Sequence, residues 1–242
     1  VLHRACAGAY RSGVDIGSPL PGTEPPRDCQ RCPRLVALRR ECQAEHPDWW
    51  SAPVHAFGDP DAWLAFAGLA PGKHGANRTG RPFTGDYAGD LLFATLAEYG
   101  LSKGRYDARI DDGLTLEGAI IVNSVKCLPP QNKPTPAEIA SCRPFFEAQL
   151  AALPTVGVII ALGRIAHDAA LRAFGERLAA HPFAHGAVHR LPGGRHLVDS
   201  YHCSRYNTNT GRLTAAMFAD VFRTALRLKD QTSGPNSSTS PR

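Results

Sequence analysis

Apolar runs such as VGVIIAL (156–162) stop far short of the about 20 residues that a membrane-spanning helix needs, so no membrane span is expected. The opening VLHRACAGAY has no apolar h-region, which excludes a secretory signal and predicts a non-secreted, cytoplasmic protein. It also has no initiator Met, which points to trimming or to an unusual start. No internal repeat is present. A Walker A loop is missing as well, because only Leu69, Ala70 and Pro71 separate Gly68 from Gly72-Lys73, where that motif needs four residues. Charged residues make up 20% and hydrophobic ones 43%, which excludes wholesale disorder and fibrous classes.

The 242 residues carry a formal net charge of +5, a mild excess that permits a polyanionic partner without requiring one. A chain this long buries a sizeable core and needs no disulfide staples. In a reducing compartment its seven cysteines read as metal ligands or free thiols. The 23 glycines and 20 prolines make it rich in turns.

Residues 1–28 read as an irregular segment, with PLPGTEPP (19–26) as a polyproline-like stretch. Helices are predicted from Pro33 to about His46, over 91–100, from the capping box Thr135-Pro-Ala-Glu138 to about Ala152, over about 164–174, and over about 213–228. Short apolar runs predict strands at 63–69, 119–125, 156–162 and 196–202. The segment 187–191 joins the last of these through the turn at 192–194. The polar tail from residue 229 onward is predicted to be disordered. Strands alternating with helices predict an α/β fold in which helices cover both faces of a parallel sheet. Ligands of such sheets bind beyond the carboxyl ends of the strands, which marks the loops after Leu69, Val122 and Tyr201.

Cys29-Gln-Arg-Cys32 is a CxxC just before a helix, and Cys127 with Cys142 makes a wider pair. Four thiolates suit zinc or an iron–sulfur cluster, and spacing does not separate the two. Cys6 and Cys42 read as spare thiols. His181, His185 and His189 recur every four residues, but Pro182 and Gly186 interrupt the helix that would align them, so no metal site is expected from that rhythm.

The loop GLAPGKHGANRTGRPFTGD (68–86) offers many backbone N–H groups, together with Lys73, Arg78 and Arg81. It suits an anion, or a planar ring held against the backbone at Gly68 and Gly72. The loop HCSRYNTNTGRLT (202–214) carries hydroxyls, amides, Arg205, Tyr206 and Arg212, groups that contact phosphates.

These two loops, with VNSVKCLPPQNKPTPAE (122–138), resemble the motifs of the type B (family 5) uracil-DNA glycosylases. The cysteine pairs are similar to the iron–sulfur pattern of that family and of the related family 4 enzymes. The resemblance runs from about Cys29 to Leu228, which it implies to be a single glycosylase domain. It implies a three-layer α/β/α sandwich around a four-stranded parallel sheet, and a structural 4Fe-4S cluster held by Cys29, Cys32, Cys127 and Cys142. It also implies a DNA repair hydrolase, monomeric and nucleoid-associated, acting on double- and single-stranded DNA that contains uracil or other deaminated bases. Hydroxymethyluracil, hypoxanthine and ethenocytosine fall within the family's range.

Such an enzyme must extrude the base, then break the bond between N1 of the base and C1′ of the sugar. Negative charge grows on the leaving uracil and positive charge on the sugar. The resemblance puts His202 at uracil O2, where a neutral imidazole N–H meets the developing oxyanion. Asn123 can read the base, donating to O4 and accepting from N3–H, a pattern that cytosine reverses. Phe83 either stacks on the extruded ring, as in relatives, or anchors its loop. Ala70 stands where much of the superfamily has an acidic or amide residue, and it leaves room in the pocket. Asp86 is the family's candidate carboxylate near the water or sugar, or else a helix cap. Arg205 and Tyr206 match the wedge that fills the vacated stack, with a phosphate contact an equal alternative for Arg205, while Arg212 and Lys73 suit phosphates. Cys203 departs from the proline that often follows this histidine.

Alternatives are a family 4-like enzyme, which Ala70 disfavours, and a non-catalytic iron–sulfur or zinc DNA-binding module, which would need neither Asn123 nor His202. A nucleotide-binding hydrolase is weakened by the missing Walker motif.

Overall fold

The computed structural model describes residues 17–232. Residues 1–16 and 233–242, most of the expected irregular start and tail, lie outside the described residues. In chain order the elements are α1 (Pro33–Glu45), β1 (Phe57–Gly58), β2 (Leu64–Gly68), α2 (Ala76–Thr79), α3 (Tyr87–Glu98), β3 (Ser102–Lys103) and β4 (Thr115–Leu116). Then follow β5 (Ala119–Asn123), α4 (Pro136–Ala151), β6 (Val158–Leu162), α5 (Arg164–Ala173), β7 (Val188–Arg190), β8 (His196–Ser200), α6 (Arg205–Asn209) and α7 (Ala215–Thr232). No helix among the described residues is long and apolar enough to cross a membrane.

The strand order is β1-β5-β2-β6-β8-β7. β5, β2, β6 and β8 are the four expected parallel strands. Each is five residues long and almost wholly buried, as strands covered on both faces must be. Two short antiparallel strands extend this core. β7 pairs with β8 through the turn at Pro192–Gly194, as the sequence suggests, whereas the two-residue edge β1 on β5 was not legible. β3 and β4 form a separate small ribbon, also unexpected.

Alternate strand residues face opposite layers. Leu64, Phe66, Ile121, Ile160 and Val198 meet α3 and α7 through Leu92, Leu96, Phe218 and Phe222. Ala65, Ala67, Ile120, Ile159 and Ala161 meet α4 and α5 through Phe146, Leu150, Ala166 and Ala170. The three-layer α/β/α sandwich is therefore present. The capping box at α4 forms as read: Thr135 Oγ1 accepts from the Glu138 N–H at 3.2 Å, and Glu138 Oε2 accepts from the Thr135 N–H at 2.8 Å. α7 runs four residues beyond the expected Leu228, into the segment read as tail. α3 begins at Tyr87 rather than at residue 91, because Asp86 caps it.

Candidate active site

The carboxyl ends of the parallel strands open onto one cavity of about 560 Å³, walled by the loops that follow them. Ala70, Gly72, Phe83, Asp86, Asn123 and His202, singled out in the sequence, all line it. Arg205 and Arg212 stand at its wall, over the rings of Tyr87 and Tyr201 at 5.2 and 4.6 Å.

Asn123 is the last residue of β5, in register with Gly68 at the end of β2. Its side-chain Oδ1 is buried with no hydrogen-bond partner. A Cβ on Gly68 would lie 2.2 Å from that oxygen and 3.2 Å from the Phe83 ring, so glycine is what lets the amide occupy this place. Phe83 has φ +54°, a left-handed conformation that a bulky side chain rarely adopts. Its carbonyl accepts from the Tyr106 hydroxyl at 3.3 Å, and Tyr106 in turn receives the Gly85 N–H at 3.1 Å. The Phe83 ring stacks on His202, with centroids 5.9 Å apart.

His202 follows β8 and is held by its backbone carbonyl, which accepts from Asn207 Nδ2 at 2.8 Å. Burial pushes its imidazole down to about 4, so the ring is neutral at physiological pH. Cys203 behind it is wholly buried, and burial, with Asp86 adding to it, pushes its thiol up to about 12. It is an inert packing residue there. Asp86 caps α3 and also lines the cavity. Its Oδ1 accepts from the Gly89 N–H at 3.2 Å as the α3 cap, while Oδ2 sits against Gly75, where a Cβ would come within 2.3 Å. Burial pushes its carboxyl up, against the opposing pull of the Gly89 and Ala88 N–H groups.

The cations of the 68–86 loop are not gathered at the cavity, contrary to the anion-cradle reading. Arg81 is buried and bidentate to Asp112, both contacts 2.7 Å, and Lys73 pairs with Glu45 at 3.2 Å. Arg78 donates to the His74 carbonyl at 2.7 Å. Tyr206 lies on α6, 71% exposed and outside the cavity lining. Sequence reasoning missed Phe183, Tyr201, Ile165 and Asn132 in the cavity wall. Asn132, with its neighbour Gln131, has left-handed backbone at φ +56° and +55° within the PPQN turn.

Cys29, Cys32, Cys127 and Cys142 line one small apolar cavity with Leu35, Val36, Val125 and Phe145. The Lys126 N–H points at Cys142 Sγ from 3.3 Å. Burial, reinforced by the neighbouring thiols, pushes Cys127 up to about 12 against Arg39, and burial also raises Cys142. Thiolates in such a place need a cationic centre to share, so the donor set fits a metal group. The Lys126 side chain is wholly buried, bonded to Gln149, and burial pushes its ammonium down while Glu24, Cys142 and Cys127 oppose this.

Residues 55–226 match the family model of the uracil DNA glycosylase superfamily. A type-5 uracil-DNA glycosylase of Thermus thermophilus is 51% identical over 205 residues, covering 83% of this chain and 93% of the relative. One from Pyrobaculum aerophilum is 42% identical over 202 residues, covering 82% and 88%. A type-4 enzyme of Thermotoga maritima is 39% identical over 110 residues, 45% of this chain and 49% of the relative. With a matched family model across most of the chain and the two type-5 relatives aligned over 93% and 88% of their own length, the chain belongs to the uracil DNA glycosylase superfamily.

Proposed function

We propose that the protein excises uracil from DNA by hydrolysing the bond between uracil N1 and C1′, leaving an abasic site. The observation that carries this reading is the buried Asn123 Oδ1 without a partner, facing the same cavity as a neutral His202. An extruded uracil supplies the missing donor through N3–H, whereas cytosine presents an acceptor there and leaves the oxygen orphaned. As the N1–C1′ bond breaks, its electron pair leaves with uracil, and the His202 N–H stabilises the charge at O2. Water adds to C1′, and its proton passes to Asp86, whose raised carboxyl makes it a better base than an ordinary aspartate. Phe83 supports the imidazole and the ring. Arg205 and Arg212 hold the backbone, and the exposed Tyr206 is the wedge. Lys73, engaged by Glu45, has at most an outlying phosphate contact.

The small Ala70 and a cavity of about 560 Å³, much larger than one pyrimidine, support a broad range including hydroxymethyluracil, hypoxanthine and ethenocytosine. Cys29, Cys32, Cys127 and Cys142 hold a 4Fe-4S cluster. Bound there, it supplies iron–thiolate bonds that tie the segment before α1 to residue 127 and α4, with no part in the hydrolysis.

Duplex and single-stranded oligonucleotides carrying one uracil, hypoxanthine or ethenocytosine, treated with protein and then alkali, test the reading. Strand cleavage at uracil is expected, and the lesion panel sets the range. Intact uracil strands with a fully loaded cluster would overturn the enzyme reading in favour of a DNA-binding module. Cys127→Ser should bleach the iron–sulfur absorbance and lower the melting temperature.

A further inference from the structure

Away from the DNA cavity, His167 on α5, His189 on β7 and Asp199 on β8 bring one ligand atom each to within 4.8 Å of the others. All three are buried. His167 Nδ1 lies 2.7 Å from Asp199 Oδ1, and His189 Nε2 lies 2.9 Å from Asp199 Oδ2. The second nitrogen of His167, Nε2, lies 2.9 Å from the backbone carbonyl of His181. A carboxylate and a carbonyl both accept, so both ring nitrogens of His167 face acceptors. With a metal on Nδ1, the ring is neutral and keeps one N–H, on Nε2, facing one acceptor. Metal-bound histidines are typically oriented in this way, by a backbone carbonyl on the far nitrogen.

The surrounding charges suit a cation. The Ala184 N–H also reaches Asp199 Oδ2 at 3.2 Å, which fixes the carboxylate. Glu176, held by His181 Nε2 at 3.0 Å, adds a second negative group to the network. Two imidazoles and one carboxylate form a donor set that zinc takes readily.

We propose that His167 Nδ1, His189 Nε2 and the Asp199 carboxylate bind one zinc-type divalent ion. Uptake releases the proton shared between His167 and Asp199, and the carboxylate turns to bring its oxygen to metal-bond length. The ion clips α5 to the β7–β8 hairpin and to the segment at 181–184. Phe183 of that segment packs edge-on against His167, with centroids 5.5 Å apart, and lines the DNA cavity. The site therefore stiffens one cavity wall without touching the reacting atoms. The four-residue histidine rhythm has no part in it as a rhythm: His181 lends its carbonyl, His185 stacks on Tyr201, and only His189 is a ligand.

The full chain, cluster loaded, is stripped with EDTA and titrated with zinc chloride by calorimetry and thermal melting, with zinc and iron counted by elemental analysis. One zinc per chain and a raised melting temperature are expected, with binding weakened at least ~10-fold in His189→Ala and in Asp199→Asn. His189 lies on a short edge strand, and circular dichroism of its variant establishes that the fold survives. His189→Gln serves if the alanine variant does not fold. Failure of the wild type to take up zinc, or equal binding by the folded His189 variant, overturns the proposal. So does zinc that is lost in Cys127→Ser but kept in His189→Ala, because that places the ion at the thiols. None of these readouts depends on glycosylase activity.

Discussion

Asn123→Ala should separate stability from recognition. Folding strips Asn123 Oδ1 of water and provides no partner in return. A buried group left in that state costs roughly 1–3 kcal/mol. Truncation removes the cost, and the vacated space opens onto the cavity rather than into closed core, so little packing is lost. In a chain of this size about 1 kcal/mol corresponds to ~2–4 °C. The melting temperature should therefore hold or rise by a few degrees. Excision should move the other way. Loss of the contacts to N3–H and O4 removes roughly 3 kcal/mol of transition-state stabilisation, or ~10²-fold in single-turnover rate on a uracil duplex. Asn123→Asp keeps an acceptor but loses the donor and sets a negative charge against the leaving uracil anion, so it should be at least as slow. Wild-type excision by Asn123→Ala, or a marked fall in its melting temperature, would refute the argument.

Three further outcomes follow from neighbouring geometry. Gly68→Ala drives a methyl to 2.2 Å from Asn123 Oδ1, so excision should fall by more than tenfold while cluster absorbance stays, read by the same cleavage assay. Burial holds His202 near 4 against 6.5 for a free imidazole, so the unfolded chain takes the extra proton between those values. The stability present above pH 6.5 should accordingly drain away as pH falls toward 4, and His202→Asn should flatten that part of the melting profile relative to wild type. Burial opposes ionisation of Asp112, but the Arg81 fork and the Asp107 and Leu114 N–H groups outweigh it and hold the carboxyl at about 2. Asp112→Asn leaves Arg81 charged and buried, which should cost about 3–5 kcal/mol in denaturant unfolding, and the wild-type contribution, full above pH 3.8, should be lost as pH falls from there to about 2.

Local signals in the sequence were enough to establish the four parallel strands, the capping box at Thr135 and the three loops at the carboxyl edge. An apolar run buried on both faces, or a Thr-Pro-x-Glu start, means the same thing in almost any surroundings. The motifs likewise named Asn123, His202 and Asp86, which line one cavity, and the four cysteines, which line another. Pairings between distant residues had no such signal. Arg81 read as an anion contact because Asp112 lies 31 residues away, and only packing brings the two together. Asp86 required the folded loop to show one carboxylate capping a helix and lining a cavity at once. The two-residue β1 edge, the position of Phe183 and the meeting of His167, His189 and Asp199 were decided by tertiary structure alone. Side-chain environment depends on which elements close upon one another, and a linear pattern records only what each element needs for itself.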